Sequence, residues 1–170
     1  VRQATRLPPH ARTPPGRPPA RRRPGAVIFD MDGLMLDTEP LAARAWTDAA
    51  RAAGQPFDHS VTSRMIGRNF ADCRSLIADR HGPAYPVDEL MRAWHLAYDA
   101  IVEREGLVLK AGLDALLDWL EAARIPKAVA TSTRRVRALA KLERTALTAR
   151  FVAVVGGDEV PRGKPAPDIF

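Results

Sequence analysis

Cysteine is nearly absent: Cys73 stands alone in 170 residues, which excludes a disulfide framework. No run of about 18 apolar residues occurs, so no membrane span is expected. Lysine is scarce too, with 4 against 22 arginines. The histidines His10, His59, His81 and His95 make no metal-ligand spacing and read as surface or helical-segment residues. Acidic residues are missing altogether from positions 1–25, which hold seven Arg and seven Pro. Such a segment buries too little apolar area to offset its ordering entropy and reads as a disordered tail. It is a linker, or translated sequence upstream of the true start, or an arm that binds nucleic acid weakly through phosphate. No apolar stretch follows Arg21-Arg22-Arg23, so no secretory signal is expected and a cytoplasmic protein is the default.

The net charge of +6 belongs to that tail. Residues 26–170 carry 19 basic and 20 acidic side chains, so the body has no general positive field for nucleic acid. Its apolar pattern alternates buried strands with helices. Ala26–Phe29, Lys127–Ala130 and Phe151–Val155 read as strands. Helices are expected from Thr38, as N-cap, to Gly54, over 58–66 and 69–81, from Asp88 to Glu105, from Leu113 to Ala123, and from Arg134 to Leu147. This order predicts an α/β fold with a Rossmann-like parallel sheet core. A right-handed crossover needs only one helix, so the roughly 70 residues after Asp37 read as an inserted helical cap. The expected division is a tail over 1–25, a core over 26–37 and 107–170, and a cap over 38–106.

Three polar clusters follow the three strands: Asp30/Asp32, Thr131/Ser132 and Lys164. In open parallel sheets ligands bind beyond the carboxyl ends of the strands, so the clusters are expected to meet. Asp30 and Asp32, two apart in extended backbone, lean the same way, and Gly33 lets the chain turn sharply behind them. Two close carboxylates suit Mg²⁺, a hard cation that keeps waters and substrate phosphate in its shell. One carboxylate can attack phosphorus and the other can shuttle the proton. Without a ligand to bind, Asp30 and Asp32 would be an ordinary acidic turn. Thr131 and Ser132 can hydrogen-bond a phosphoryl oxygen, or merely cap the helix that follows. Lys164, between Gly163 and Pro165, can pair with Asp30 and the transferring phosphoryl group, or simply stand in solvent. Cys73 reads as a small buried hydrophobe.

Together, AVIFDMDGLMLDTEP, VATST and GKPAPDIF resemble the haloacid dehalogenase superfamily, in the branch of β-phosphoglucomutases and small sugar-phosphate phosphatases. The resemblance covers residues 26–170. It implies that Asp30 is nucleophile and Mg²⁺ ligand, and that Asp32 is general acid/base and ligates Mg²⁺ through its backbone carbonyl. Thr131 and its neighbour Ser132 would bind phosphate, and Lys164 would be the lysine of the third motif. Arg68, in Met65-Ile66-Gly67-Arg68-Asn69, would contact substrate from the cap. The implied activity is Mg²⁺-dependent hydrolysis of a small phosphorylated substrate, sugar phosphate-like, through an aspartyl-phosphate. A β-phosphoglucomutase-like mutase is the alternative, but mutases of the branch carry a histidine about where Pro40 and Leu41 stand. Relatives also continue past KPAPDIF to an acidic loop that completes the Mg²⁺ site, and to a strand beside the first. A fragment of a longer product, or a truncated chain with impaired activity that binds anions through its tail, is therefore also expected.

Overall fold

The computed structural model describes residues 23–170, so the expectation of a disordered tail lies almost wholly outside the described residues. The elements run β1 (Val27–Phe29), α1 (Glu39–Ala52), α2 (Thr62–Met65), α3 (Phe70–His81), α4 (Val87–Glu105), α5 (Leu113–Ala122), β2 (Lys127–Ala130), α6 (Arg135–Arg144) and β3 (Ala153–Val155). The strands form a parallel sheet in the order β1-β2-β3. Val27 stands opposite Lys127, and Ala128 opposite Ala153. Central β2 is the most buried, as expected of a strand covered on both faces. Among the described residues β1 pairs only with β2, and Ile28 is 47% exposed at that outer strand.

Two layers cover this scaffold. Phe29 and Val129 from the sheet pack with Leu117 and Leu120 of α5 and Leu142 of α6 in one continuous core. Each buried Leu contributes about 1.5–3 kcal/mol. The helices between β1 and α5 build a second core, in which Trp46 of α1 meets Ile77 of α3 and Leu90 and Met91 of α4. Trp94 Nε1 donates to the Ala42 carbonyl at 3.2 Å, tying α4 to α1. Among the described residues no helix is long and apolar enough to cross a membrane.

The chain enters and leaves this helical layer side by side. Leu36 bridges Leu109 in antiparallel fashion. Asp37 N donates to the Val108 carbonyl and Lys110 N to the Met35 carbonyl, both at 2.8 Å. Lys110 Nζ closes on Asp37 Oδ1 at 2.7 Å.

Three sequence expectations need correction. The third strand begins at Ala153, not Phe151, because residues 148–150 form a 3-10 turn and Val152 points outward, 77% exposed. The segment 58–66 is a 3-10 turn followed by the four-residue α2, with Asp58 accepting from Ser60 N at 2.9 Å. Thr38 precedes α1 but makes no side-chain cap; it is 3% exposed and turned inward.

Acid sensitivity follows from three carboxylates. Hydrogen bonding from Arg44, and then from Arg104, holds Glu105 down at about 2. Arg150, then Lys127, does the same for Glu121, and the Ser60 and Arg80 contacts for Asp58, both also to about 2. Each pKa is depressed on folding, so each contribution is whole above the unfolded value and is lost as pH falls through the folded one. Melting temperature is expected to hold between pH 7 and 5, then drop from about pH 4.5 toward 2, read by circular dichroism. A melt unchanged down to pH 2 would contradict this.

Candidate active site

All three polar clusters converge beyond the C-terminal ends of the strands. β1 ends at Phe29 and delivers Asp30; a tight turn follows, with Gly33 N donating to the Leu36 carbonyl at 2.9 Å. Gly33 sits at φ +77°, a conformation that a side chain would strain. β2 delivers Thr131, 1% exposed, whose N–H donates to the Val155 carbonyl at 3.0 Å. The loop after β3 carries Lys164 back across the sheet. Its Nζ donates to Asp30 Oδ1 at 2.6 Å and to the Ala130 carbonyl at 2.9 Å. Lys164 is only 17% exposed in its side chain, and a solvated surface lysine is thereby excluded.

Asp30, Asp32, Thr131, Ser132 and Arg68 line one cavity of about 460 Å³ between the sheet and the helical layer. Lys164 stands behind Asp30. Thr131 and Ser132 do not cap α6. Asp158 does that from outside, accepting from Arg135 N at 2.7 Å. Thr131 Oγ1 accepts from Thr133 N at 3.1 Å, while Ser132 Oγ donates across the layers to the Gly67 carbonyl at 2.7 Å. Arg68 follows at once, its Nε on the Arg64 carbonyl at 2.9 Å.

The loop after β3 is seated by close backbone approach. A Cβ on Gly157 would collide with the Ser132 carbonyl, which is main chain and cannot swing aside. Gly157→Ala is therefore expected to cost about 1–3 kcal/mol in urea unfolding, and an unchanged midpoint would contradict the contact.

Asp32 has partners that local sequence patterns did not suggest. Lys141 Nζ, from the middle of α6, reaches Asp32 Oδ1 at 2.6 Å, and Thr133 Oγ1 donates to Oδ2 at 2.7 Å. The same ammonium lies 5.1 Å from the Tyr98 ring centroid, a cation–π contact. Burial alone would raise the Asp32 pKa; the Lys141 charge and the hydrogen bonds from Lys141, Thr133 and Thr38 outweigh it and hold it below the usual range. Burial likewise opposes charge on Lys141, and Asp32 outweighs it, keeping the ammonium protonated.

Among the described residues no three His, Cys, Asp or Glu side chains cluster as a metal cage. Two oxygens nonetheless suit a hard cation. Lys164 takes only one Asp30 oxygen, and the main-chain carbonyl of Asp32 accepts no backbone hydrogen bond among the described residues. A carboxylate oxygen and a carbonyl fit Mg²⁺, which fills the rest of its octahedron with water and phosphate. Cys73 is buried, its thiol lies 3.7 Å from the Met65 carbonyl, and burial pushes it up to about 11. His59, His81 and His95 lie in the helical layer.

Comparison with known proteins gives the family. The chain is 32% identical over 145 residues to the phosphorylated carbohydrates phosphatase of Thermotoga maritima, covering 85% of this chain and 67% of that protein. It is 36% identical over 155 residues to (DL)-glycerol-3-phosphatase 1 of Arabidopsis thaliana, covering 85% of this chain but only 49% of that protein. The chain thus spans between about half and two thirds of the length of these curated relatives. The crystal structure of CbbY from Rhodobacter sphaeroides in complex with phosphate superposes with a TM-score of 0.66 at 26% identity, over 85% of this chain and 68% of that one. Residues 24–170 match the haloacid dehalogenase-like hydrolases as a family: the chain belongs to the haloacid dehalogenase-like hydrolases.

Proposed function

We propose that this chain carries the catalytic groups of a Mg²⁺-dependent phosphatase acting on small phosphomonoesters of the sugar-phosphate kind. The observation that carries the reading is the Asp30–Lys164 pair at the end of β1, with Asp32 two residues on and Thr131 beside it. Asp30 attacks phosphorus, forming an aspartyl-phosphate as the ester oxygen leaves with a proton from Asp32. Water then attacks the same phosphorus and gives its proton to Asp32; inorganic phosphate departs and the Asp30 carboxylate is restored. Lys164 steadies Asp30 and offsets charge on the transferring group. Thr131 and Ser132 would orient phosphoryl oxygens. Mg²⁺, held by the Asp30 carboxylate and the Asp32 carbonyl, would supply neutralisation of phosphate charge.

The Lys141 pair favours the ionised form of Asp32, which accepts the water proton in the second step; the proton that Asp32 passes to the leaving oxygen in the first step is one it takes up from the phosphomonoester monoanion on binding. The helices from α1 to α4 would act as the cap over residues 38–106, excluding water and meeting the substrate through Arg68. The mutase alternative is favoured by 30% identity over 153 residues to the β-phosphoglucomutase of Bacillus subtilis, but Pro40 and Leu41 occupy the start of α1, where the histidine of that branch would stand. Anion binding by the tail concerns residues outside those described. Hydrolysis of p-nitrophenyl phosphate and fructose 1-phosphate in Mg²⁺, lost on adding EDTA, tests the proposal; turnover of neither overturns it.

A further inference from the structure

Buried polar atoms are almost always hydrogen-bonded, and one that is not asks for an explanation. Among the described residues two buried side-chain polar atoms have no partner in the protein, Tyr98 Oη and His95 Nδ1. The two residues stand three apart in α4, on one face of the helix, and both line the cavity that holds Asp30 and Asp32. Tyr98 is only 3% exposed. The Lys141 ammonium lies over its ring, 5.1 Å from the centroid, but an ammonium only donates, so the phenolic proton has no acceptor. Burial, and then the charges of Arg137, Arg134 and Lys141, hold the His95 imidazole below its usual range against the pull of Asp99. It is therefore neutral at pH 7, with one N–H and one lone pair.

Other polar groups around the cavity are either committed or open to water. Thr62 Oγ1 donates to the His59 carbonyl at 2.6 Å and Ser63 Oγ to the Ser60 carbonyl at 3.1 Å. Ser132 and Thr133 donate to Gly67 and Asp32 at 2.7 Å each. Glu39, Arg68 and Arg134 are exposed, so solvent serves their free atoms. The unmet capacity inside the protein thus lies at Tyr98 and His95, which is also where the alcohol half of a substrate must lie. Lys141 Nζ, against the Tyr98 ring, reaches Asp32 Oδ1 at 2.6 Å, and Asp32 protonates the departing ester oxygen in the proposed reaction. A hydroxyl on a carbon near that oxygen accepts the Tyr98 proton, and by rotating it serves either tautomer of His95.

We propose that Tyr98 and His95 determine the specificity of this site by binding a hydroxyl of the alcohol half of the phosphomonoester, close to its ester oxygen. This rests on the phosphatase reading and names the groups that read the alcohol. An alcohol without that hydroxyl leaves both buried atoms unpaired in the complex, which penalises it.

Isothermal titration of the full chain in Mg²⁺ with two non-hydrolysable probes tests it: butyl phosphonate, and dihydroxybutyl phosphonate, which adds hydroxyls to the same chain. The dihydroxy probe is expected to bind about tenfold tighter or more. Tyr98→Phe keeps the ring under Lys141 and removes only the hydroxyl, and is expected to narrow that ratio about fivefold. Its melting temperature should stay level or rise, since the hydroxyl gives up no bond to an acceptor. Equal or tighter binding of butyl phosphonate overturns the inference, as does a ratio unchanged in Tyr98→Phe. If the wild type hydrolyses p-nitrophenyl phosphate in those cases, the phosphatase reading stands without it. If the wild type binds neither probe nor inorganic phosphate and hydrolyses no ester, both fall.

Discussion

Asp30→Asn is expected to lower turnover of p-nitrophenyl phosphate by about a thousandfold or more, because an amide oxygen is a far weaker nucleophile than a carboxylate. The fold should survive. Lys164 keeps its 2.9 Å bond to the Ala130 carbonyl, and the amide oxygen of Asn still accepts from the same ammonium. Asp30 is also partly open, with 37% of its side chain exposed, so no deeply buried charge is stranded by the change. Wild-type and variant are therefore expected to melt together while their rates part. Turnover retained in Asp30→Asn would remove Asp30 from the nucleophile role.

The larger effect on stability is expected at Lys141. Its side chain is 12% exposed and that of Asp32 30%, so the pair is mostly withdrawn from water. Lys141→Met keeps much of the aliphatic stem but leaves the Asp32 carboxylate facing Thr133 without its counter-charge. Breaking one side of such a pair costs about 2–3 kcal/mol, at the low end for buried pairs because Asp32 keeps some solvent. The urea midpoint should fall accordingly. Adding Asp32→Asn to Lys141→Met should recover a substantial part of the loss, since no lone charge then remains. A double variant no more stable than Lys141→Met would mean that Lys141 acts through packing against Tyr98 and not through charge.

The neighbourhood of Asp30, Thr131 and Lys164 was legible because each sits at or after the end of a short apolar strand. Parallel strands bring their carboxyl ends to one edge, so residues 134 apart in sequence could be placed together from pattern alone. Lys141 offered no such signal. It stands mid-helix beside buried Ala138 and Leu142, where a lysine reads as part of a solvated face. Only the crossing of α6 past Tyr98 and the turn at Asp32 gives it a partner, and that crossing is tertiary. The bond that Ser132 makes across the layers was illegible for a similar reason. Helix capping and phosphate binding are local readings, whereas its hydroxyl bonds Gly67, 65 residues away. The start of β3 was missed because Phe151 and Val152 extend the apolar run; the 3-10 turn before them rotates Val152 outward, which hydrophobicity alone does not encode.

The two bridged segments that join the sheet to its helices have a consequence for how such a protein can change. Met35–Asp37 and Val108–Lys110 are hydrogen-bonded neighbours, so the ends of the helical insert lie a ladder's width apart. Whatever fills that gap can be lengthened, exchanged or shortened without shifting the register of β1 against β2, since neither strand carries the splice. Change in the insert can then proceed while Asp30 and Lys164 stay under separate constraint beside the sheet. The junction makes the helical layer an exchangeable cassette and the sheet its fixed socket.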